Sequence, residues 1–135
     1  MVQKLFPADD KLLEEVLLFV EEELNKAGAL NKTVMQVKIC VEEIFVNVAH
    51  YAYKDEVGDV LISISFDEEE RTMTFGFEDG GIRYNPLEKE DPDITLTAEE
   101  RRIGGLGVYI CKKTMDDIRY EYVNNKNVLK MTKKL

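Results

Sequence analysis

The sequence predicts an α+β domain, a two-layer α/β sandwich in which a mixed sheet carries its helices on one face. Two amphipathic helical segments come early in the chain and are followed by a hairpin, a third helix and a second hairpin. This order differs from the strict alternation of strand and helix in a doubly wound parallel fold. No internal repeat or low-complexity linker interrupts the 135 residues, so residues 1–135 are predicted to form one domain.

The first half of the chain predicts one strand and two helices. A short β-rich run at 2–6 ends at Pro7. Apolar residues then recur at helical spacing over 8–26, and Gly28 fits the stop of that helix. A second helix is predicted at 32–53, with an apolar stripe of valines and Ile44 facing the sheet.

The second half predicts two hairpins separated by an irregular stretch and a helix. Alternating β-rich runs predict strands at 59–66, 71–77, 117–123 and 127–133. Between the hairpins, residues 78–103 lose all periodicity and are rich in glycine, proline and charge. Such a length is unusual for a plain connection, so we expect a functional loop there, followed by a helix at 104–115.

Composition narrows the classes of function. The chain is 44% hydrophobic and 33% charged, as in soluble globular domains, and is long enough to bury a core without a structural metal. Cys40 and Cys111 show neither CxxC spacing nor a disulfide framework, which predicts a reducing cytoplasm. The longest strictly apolar run is the five residues 16–20, against about 20 for a membrane span. We therefore expect no membrane partner.

The charge is unevenly distributed. The formal net charge is −9, with 9 basic and 24 acidic residues in 1–100 but 9 basic and 3 acidic residues in 101–135. Because a net negative field repels a polyanion, duplex nucleic acid is a poor partner, and we expect no nucleic-acid binding. A local anion site in the last third stays open.

The first chemical signal is Glu43 with Asn47, four residues apart on one polar strip of an otherwise apolar helix. An isolated pair of this kind is more often explained by an acid facing water and an amide that bonds nearby backbone. On its own the spacing leaves both interpretations open.

The second signal is the segment 78–87, in which a β-run ends in Asp79 and is followed by Gly80 and Gly81. An ordinary turn explains Asp-Gly by itself. It does not explain the Tyr-Asn-Pro-Leu that follows at 84–87.

The third signal is the cluster Gly104, Gly105 and Gly107 at the start of a helix, preceded by Arg101 and Arg102. Glycine is unfavourable in a helix, whereas a loop whose backbone N–H groups surround phosphate oxygens needs residues without Cβ. The spacing is neither that of the P-loop nor that of the dinucleotide fingerprint. The two arginines are able to reach a terminal phosphate, although paired loop arginines are more often solvated.

Taken in order, these three motifs resemble those of the GHKL superfamily of ATPases and kinases, whose nucleotide-binding unit is the Bergerat fold. The segment 43–47 matches the family's N-box, the segment 79–87 its second box and the segment 104–110 its third. The resemblance covers the chain from about residue 6 onward and is strongest to the small anti-sigma factor serine/threonine kinases. One departure is Tyr51, since the family often has histidine four residues after the N-box asparagine, and here His50 comes one residue earlier.

The resemblance implies roles for the site residues. Asn47 would be the Mg²⁺ ligand, Asp79 would accept a hydrogen bond from the adenine amino group, and Gly81 would let the backbone approach the base. Glu43 would orient or deprotonate the incoming hydroxyl.

The same resemblance implies which residues hold the phosphates. Gly104, Gly105 and Gly107 would surround the phosphates, Arg101 and Arg102 would lie beside them, and the stretch 88–103 would cover the nucleotide as a lid.

The function so implied is that of a cytoplasmic Mg²⁺·ATP-dependent serine/threonine kinase. Its substrate would be an anti-sigma-factor antagonist, a sigma factor would be a further partner, and related kinases commonly form homodimers. One alternative is a regulatory module that binds ATP and shapes a protein-binding surface without transferring phosphate. Another is an acidic α/β domain that binds no nucleotide.

Overall fold

The computed structural model describes residues 1–53, 57–88 and 106–135, and these form one antiparallel sheet covered by helices on one side. The sheet has five strands in the order β1-β2-β3-β5-β4. The strands are β1 (Val2–Pro7), β2 (Asp59–Asp67), β3 (Thr72–Asp79), β4 (Asp117–Val123) and β5 (Lys126–Lys134). The predicted α+β class, with the helices on one face, is confirmed.

The expected mixed sheet was wrong in its strand directions. All four neighbouring pairs in the described sheet are antiparallel. Strands β3 and β4 do run parallel to each other, since both are antiparallel to β5. Because β5 folds back from a tight hairpin and inserts between them, they never become neighbours.

Within the described residues, three helices form the second layer: α1 (Leu13–Lys26), α2 (Asn31–Asn47) and α3 (Leu106–Thr114). Each presents apolar residues to the inner face of the sheet, because the helical period returns them to one side. The core includes fully buried side chains from every layer, among them Val20, Val37, Phe45, Ile62, Phe75 and Met131.

The predicted element boundaries agree closely with the structure, with two differences. The first helix begins later than expected, because Asp10–Leu12 forms a short 3₁₀ turn. The second helix ends at Asn47 and continues as a π-helical segment, Val48–Ala52. Gly28 stops α1 as expected, with a φ of 78° that favours glycine.

The second hairpin closes through a turn at residues of positive φ. Asn124 and Asn125 have φ values of 54° and 61°, the conformation of a primed two-residue turn, which asparagine tolerates. This tight reversal fixes the register of β5 against β4. The separate pairing of β5 with β3 places Asn127 opposite Asp79, the last residue of β3.

Two further properties bear on the sequence-based expectations. Cys40 and Cys111 are free and buried. None of the helices in the described ranges has the length and apolarity needed to cross a bilayer.

Candidate nucleotide site

A cavity lies between the C-terminal half of α2 and the inner face of the sheet. Its walls are mainly apolar, with contributions from Ile44, Phe77, Ile82 and Leu129. Its polar lining consists of Asn47, Asp79, Tyr84, Tyr120 and Asn127. A concave apolar site with a few polar groups is the usual form of a small-molecule site.

Asp79 is the buried acid of this cavity, only 6% exposed at the last position of β3. Its Oδ1 accepts one hydrogen bond from the backbone N–H of Gly81 at 2.9 Å. A second comes from Nδ2 of Asn127, also at 2.9 Å. The two donors satisfy one carboxylate oxygen, as a buried acid requires.

Gly81 lies against the end of the second helix. A Cβ at this position would be 2.2 Å from the backbone oxygen of Ala52, so only glycine fits. The next residue, Ile82, donates its N–H to the same oxygen at 2.8 Å. The π-helical segment after α2 therefore holds the loop that follows Asp79.

Tyr53 ties the same loop to the start of β2. Its hydroxyl accepts from the N–H of Gly80 at 2.9 Å and donates to the backbone oxygen of Asp59 at 2.8 Å. Burial raises the pKa of the Tyr53 phenol, so the hydroxyl keeps the proton that it donates. Its ring lies so close to Gly58 that a Cβ there would be 2.1 Å from ring carbons.

The polar strip of α2 faces the start of α3. Asn47 donates through Nδ2 to Oε1 of Glu43 at 3.3 Å, so the two predicted residues are in contact. A Cβ on Gly107 would lie 2.1 Å from Cδ of Glu43, which means that the carboxylate occupies the space beside this glycine. The first and third motifs thus meet in the fold.

The donor set around Asn47 fits a magnesium ion that keeps most of its own waters. Because the amide NH₂ group of Asn47 bonds to Glu43, its oxygen is the end left for a cation. No group of three or more His, Cys, Asp or Glu side chains in the described ranges could hold a metal by itself. Mg²⁺ typically binds through one or two protein oxygens plus substrate phosphates.

Four predicted site residues lie outside the described residues: Arg101, Arg102, Gly104 and Gly105. The lid predicted at 88–103 lies outside them as well, except for Glu88. Of the third motif, Gly107 alone among the predicted phosphate contacts is described.

His50 contacts the start of the first helix and does not line the cavity. Its Nε2 lies 2.6 Å from Oδ2 of Asp10, so it connects the π-helical segment to the start of the first helix. The neighbouring Tyr51 is exposed, with its ring 6.4 Å from the ring of Tyr84.

The residue missed by sequence reasoning is Asn127. It is 6% exposed at the start of the inner face of β5 and lies directly opposite Asp79 in the strand register. The available signal was the alternation of β5, which places Asn127 on the same face as Leu129 and Met131. A polar residue at the first inward position of a buried strand needs a partner, and that partner is Asp79.

The thiols lie one helical turn from the contact between Glu43 and Gly107. Cys40 on α2 and Cys111 on α3 are both fully buried, and Sγ of Cys111 is 3.9 Å from the backbone oxygen of Cys40. The hydrogen bond to Cys40 and burial raise the pKa of the Cys111 thiol. Cys111 is therefore a packing residue of the interface between α2 and α3.

In the described part of the chain, the antiparallel sheet carries helices on one face only, and the cavity lies between that face and α2. This arrangement is typical of one class of ATPase domain. The family described as histidine kinase-like ATPase domain matches residues 6–133. The chain therefore belongs to the histidine kinase-like ATPase family, and the resemblance to GHKL proteins is confirmed.

Several relatives narrow the family. The protein named serine-protein kinase RsbW from Bacillus thuringiensis (strain Al Hakam) is 29% identical over 136 residues, covering 98% of this chain and 83% of the relative. The proteins of the same name from Bacillus cereus (strain AH820) and Bacillus anthracis (strain A0248) match at the same identity and coverage. These names support the anti-sigma factor kinase branch of the family.

Two solved structures share the fold. The RsbU and RsbW domains of Rv1364c from Mycobacterium tuberculosis match with a TM-score of 0.69 at 12% identity, over 100% of this chain and 33% of that longer chain. The catalytic domain of histidine kinase ThkA matches with a TM-score of 0.50 at 18% identity, over 98% of this chain and 97% of that one. At these identities the likeness concerns the fold.

Proposed function

We propose that this chain is a Mg²⁺·ATP-dependent protein serine/threonine kinase of the anti-sigma factor type, which phosphorylates an antagonist protein and also sequesters a sigma factor. The observation that carries the proposal is the contact of the Glu43 carboxylate with Gly107, one turn along α2 from Asn47. An acid, a carboxamide and a glycine in the first turn of α3 thus lie together, and the carboxamide of Asn47 also lines the cavity.

The site residues Asp79 and Asn47 have separate roles in this proposal. Asp79, at the buried end of the cavity, accepts from the amino group of the base, and the apolar walls exclude water around the ring. The amide oxygen of Asn47 would hold the magnesium ion, which when bound would offset the negative charge of the phosphates during transfer.

Glu43 acts on the hydroxyl of the protein substrate. The carboxylate accepts the serine proton as the oxygen attacks the terminal phosphorus, and ADP leaves from the opposite side. The N–H of Asn47 on Oε1 orients the carboxylate and leaves Oε2 for the incoming hydroxyl. The flanking Arg101, Arg102, Gly104 and Gly105 are proposed to hold the phosphates, with the stretch 88–103 as the lid.

The experiment compares phosphate transfer by wild type, Glu43→Gln and Glu42→Gln. Glu42 is a matched control, because it is the adjacent acid on α2 and is exposed. Label from γ-labelled ATP is followed onto an antagonist protein. We expect Glu43→Gln to lower the transfer rate by about 10²–10⁴-fold with ATP affinity retained, and Glu42→Gln to transfer at the wild-type rate.

The outcomes separate the alternatives. Transfer that proceeds normally in Glu43→Gln removes the proposed base. Tight ATP binding without phosphorylation of any antagonist supports the regulatory module that does not transfer phosphate. Co-purification with a sigma factor tests the second partner, and sedimentation of the free protein tests the homodimer.

A further inference from the structure

Asn127 has every hydrogen-bonding position of its carboxamide in use. Nδ2 donates to Oδ1 of Asp79 and to the backbone oxygen of Ile82, both at 2.9 Å. Oδ1 accepts from the N–H of Tyr84 at 3.0 Å and from the hydroxyl of Tyr120. A carboxamide has two N–H donors and two acceptor sites, so this one is saturated.

The saturated network fixes which end of the amide faces the acid. A flipped Asn127 would point its NH₂ group at the N–H of Tyr84 and its oxygen at the carboxylate of Asp79, which places like groups together. Burial raises the pKa of the Tyr120 phenol, so that hydroxyl stays a donor to Asn127. The NH₂ group is therefore directed toward Asp79.

As a result, the two carboxylate oxygens of Asp79 have different surroundings. Oδ1 receives the N–H groups of Gly81 and Asn127. No group among the described residues donates a hydrogen bond to Oδ2, and Asp79 lines the apolar cavity. An acceptor left in such a place favours a ligand that brings an N–H donor and disfavours one that brings a carbonyl oxygen.

We propose that Asn127 is the positioning residue that holds Asp79 in this orientation and so makes the site select a 6-aminopurine nucleotide over a 6-oxopurine nucleotide. The inference rests on the proposed nucleotide-binding function and adds to it a residue from the last strand. Asn127 acts through Asp79 and need not touch the base.

No other side chain reproduces this set of contacts. Asn127→Asp keeps the shape and the oxygen that accepts from Tyr84, but it places a second acceptor against Asp79. Asn127→Leu keeps the volume and removes all four hydrogen bonds. The two variants therefore separate the donor toward Asp79 from the remaining contacts.

The test measures dissociation constants for ATP and ITP, which differ at the 6-position of the purine, with the full chain in the presence of Mg²⁺. We expect wild type to prefer ATP by roughly 10- to 100-fold. In Asn127→Asp the preference should fall toward one, mainly through weaker ATP binding. Tyr120→Phe, which removes one bond to the other end of the amide, should keep most of the preference. Val128→Ala, the next residue on the opposite sheet face, should match wild type.

A purely structural role of Asn127 would change the affinities for ATP and ITP by the same factor. If Asn127→Asp weakens ATP and ITP equally, Asn127 supports the fold without selecting the base and the inference is overturned. A wild-type preference near one overturns it as well. Binding without phosphate transfer would remove the proposed kinase activity and leave this inference intact, whereas failure of both nucleotides to bind would remove the proposed function itself.

If the variants fold poorly, a measurement on the wild-type protein still tests the inference. The side-chain amide resonances of Asn127 in ¹⁵N-asparagine-labelled protein should shift when ADP binds and stay nearly unchanged with IDP. Identical shifts with both nucleotides would contradict the inference.

Discussion

At the scale of single residues, the contact between Glu43 and Gly107 joins two motifs that lie 64 residues apart in the chain. The glycine is needed for a local reason, since its missing Cβ is the space that the carboxylate fills. This adds a second role to the one predicted for glycine at this position, which was close approach to phosphate.

The variant Gly107→Ala tests this contact. The new Cβ would lie 2.1 Å from Cδ of Glu43, so the carboxylate, as the far end of a flexible side chain, must move away. We expect phosphate transfer to fall by about 10-fold or more. The free energy of unfolding should stay the same or rise by up to about 1 kcal/mol, because alanine is the better helix former.

The measurement is the transfer rate together with denaturant unfolding. Combining Gly107→Ala with Glu43→Gln gives the control, because both changes act through the same carboxylate and their effects on the rate should not add. Fully additive effects would show that Gly107 acts independently of Glu43.

At the scale of secondary structure elements, the end of α2 and the loop after β3 are built as one unit. The π-helical segment Val48–Ala52 brings the oxygen of Ala52 to the N–H of Ile82. Isolated π-helical turns are rare and occur frequently at functional sites. Here the segment couples the helix that carries Asn47 to the loop that follows Asp79.

Gly81→Ala is expected to break this coupling. Its Cβ would lie 2.2 Å from a backbone oxygen that has no freedom to rotate away, so we expect a loss of about 1–3 kcal/mol in the free energy of unfolding. Gly80→Ala is the matched control, since its Cβ would lie 3.8 Å from the Tyr53 hydroxyl, an ordinary contact. Equal losses in the two variants, measured by urea unfolding, would refute the explanation.

The C-terminal end of α1 is capped by a side chain from the turn between β2 and β3. Nη2 of Arg71 donates to the backbone oxygen of Ala27 at 2.8 Å, and its guanidinium lies 5.2 Å from the ring centre of Phe66. This contact satisfies a carbonyl group at the end of α1, where intrahelical partners run out.

Arg71→Ala should lower the free energy of unfolding by about 1–2 kcal/mol through the lost hydrogen bond and ring contact. Arg119→Ala is the control, because Arg119 forms a surface ion pair with Asp117 while its side chain is 81% exposed. Thermal unfolding of both variants checks the difference, and an equally large effect of Arg119→Ala would contradict it.

At the scale of the whole molecule, the uneven charge of the sequence becomes a difference between layers. Helix α1 exposes the acids Glu14, Glu15 and Glu22, whereas β5 exposes the bases Lys126, Lys130 and Lys134. The acids of the helical layer and the bases of the last strand thus lie on opposite sides of the core. Electrostatic complementarity will therefore favour basic partner surfaces on the helical side and acidic partner surfaces on the side of β5.

Nucleotide binding should stabilise the molecule as a unit. With Mg²⁺·ATP at about 100 times its dissociation constant, the free energy of unfolding rises by about 2.7 kcal/mol. For a domain of this size the melting temperature should rise by roughly 8–12 °C. Mg²⁺ alone and ATP with a chelator are the controls, and an unchanged melting temperature with Mg²⁺·ATP would favour the acidic α/β domain without nucleotide.

Local patterning was sufficient for most of the fold. The strands, the helices and the hairpin turns follow from hydrophobic period and turn residues, because each element must bury one face and reverse at defined positions. The motifs were also local, so the position of Glu43 and Asn47 on one polar strip was predicted from their four-residue spacing. The hydrogen bond between the two side chains was seen only in the structure.

The sequence by itself determined the elements, the fold class and the family, since these depend on periodicity and on residues close together in the chain. Tertiary structure alone decided the insertion of β5 between β3 and β4, the contact of Glu43 with Gly107 and the pairing of Asn127 with Asp79. Strand neighbours and cross-strand partners depend on how distant elements pack, and no local pattern encodes that choice.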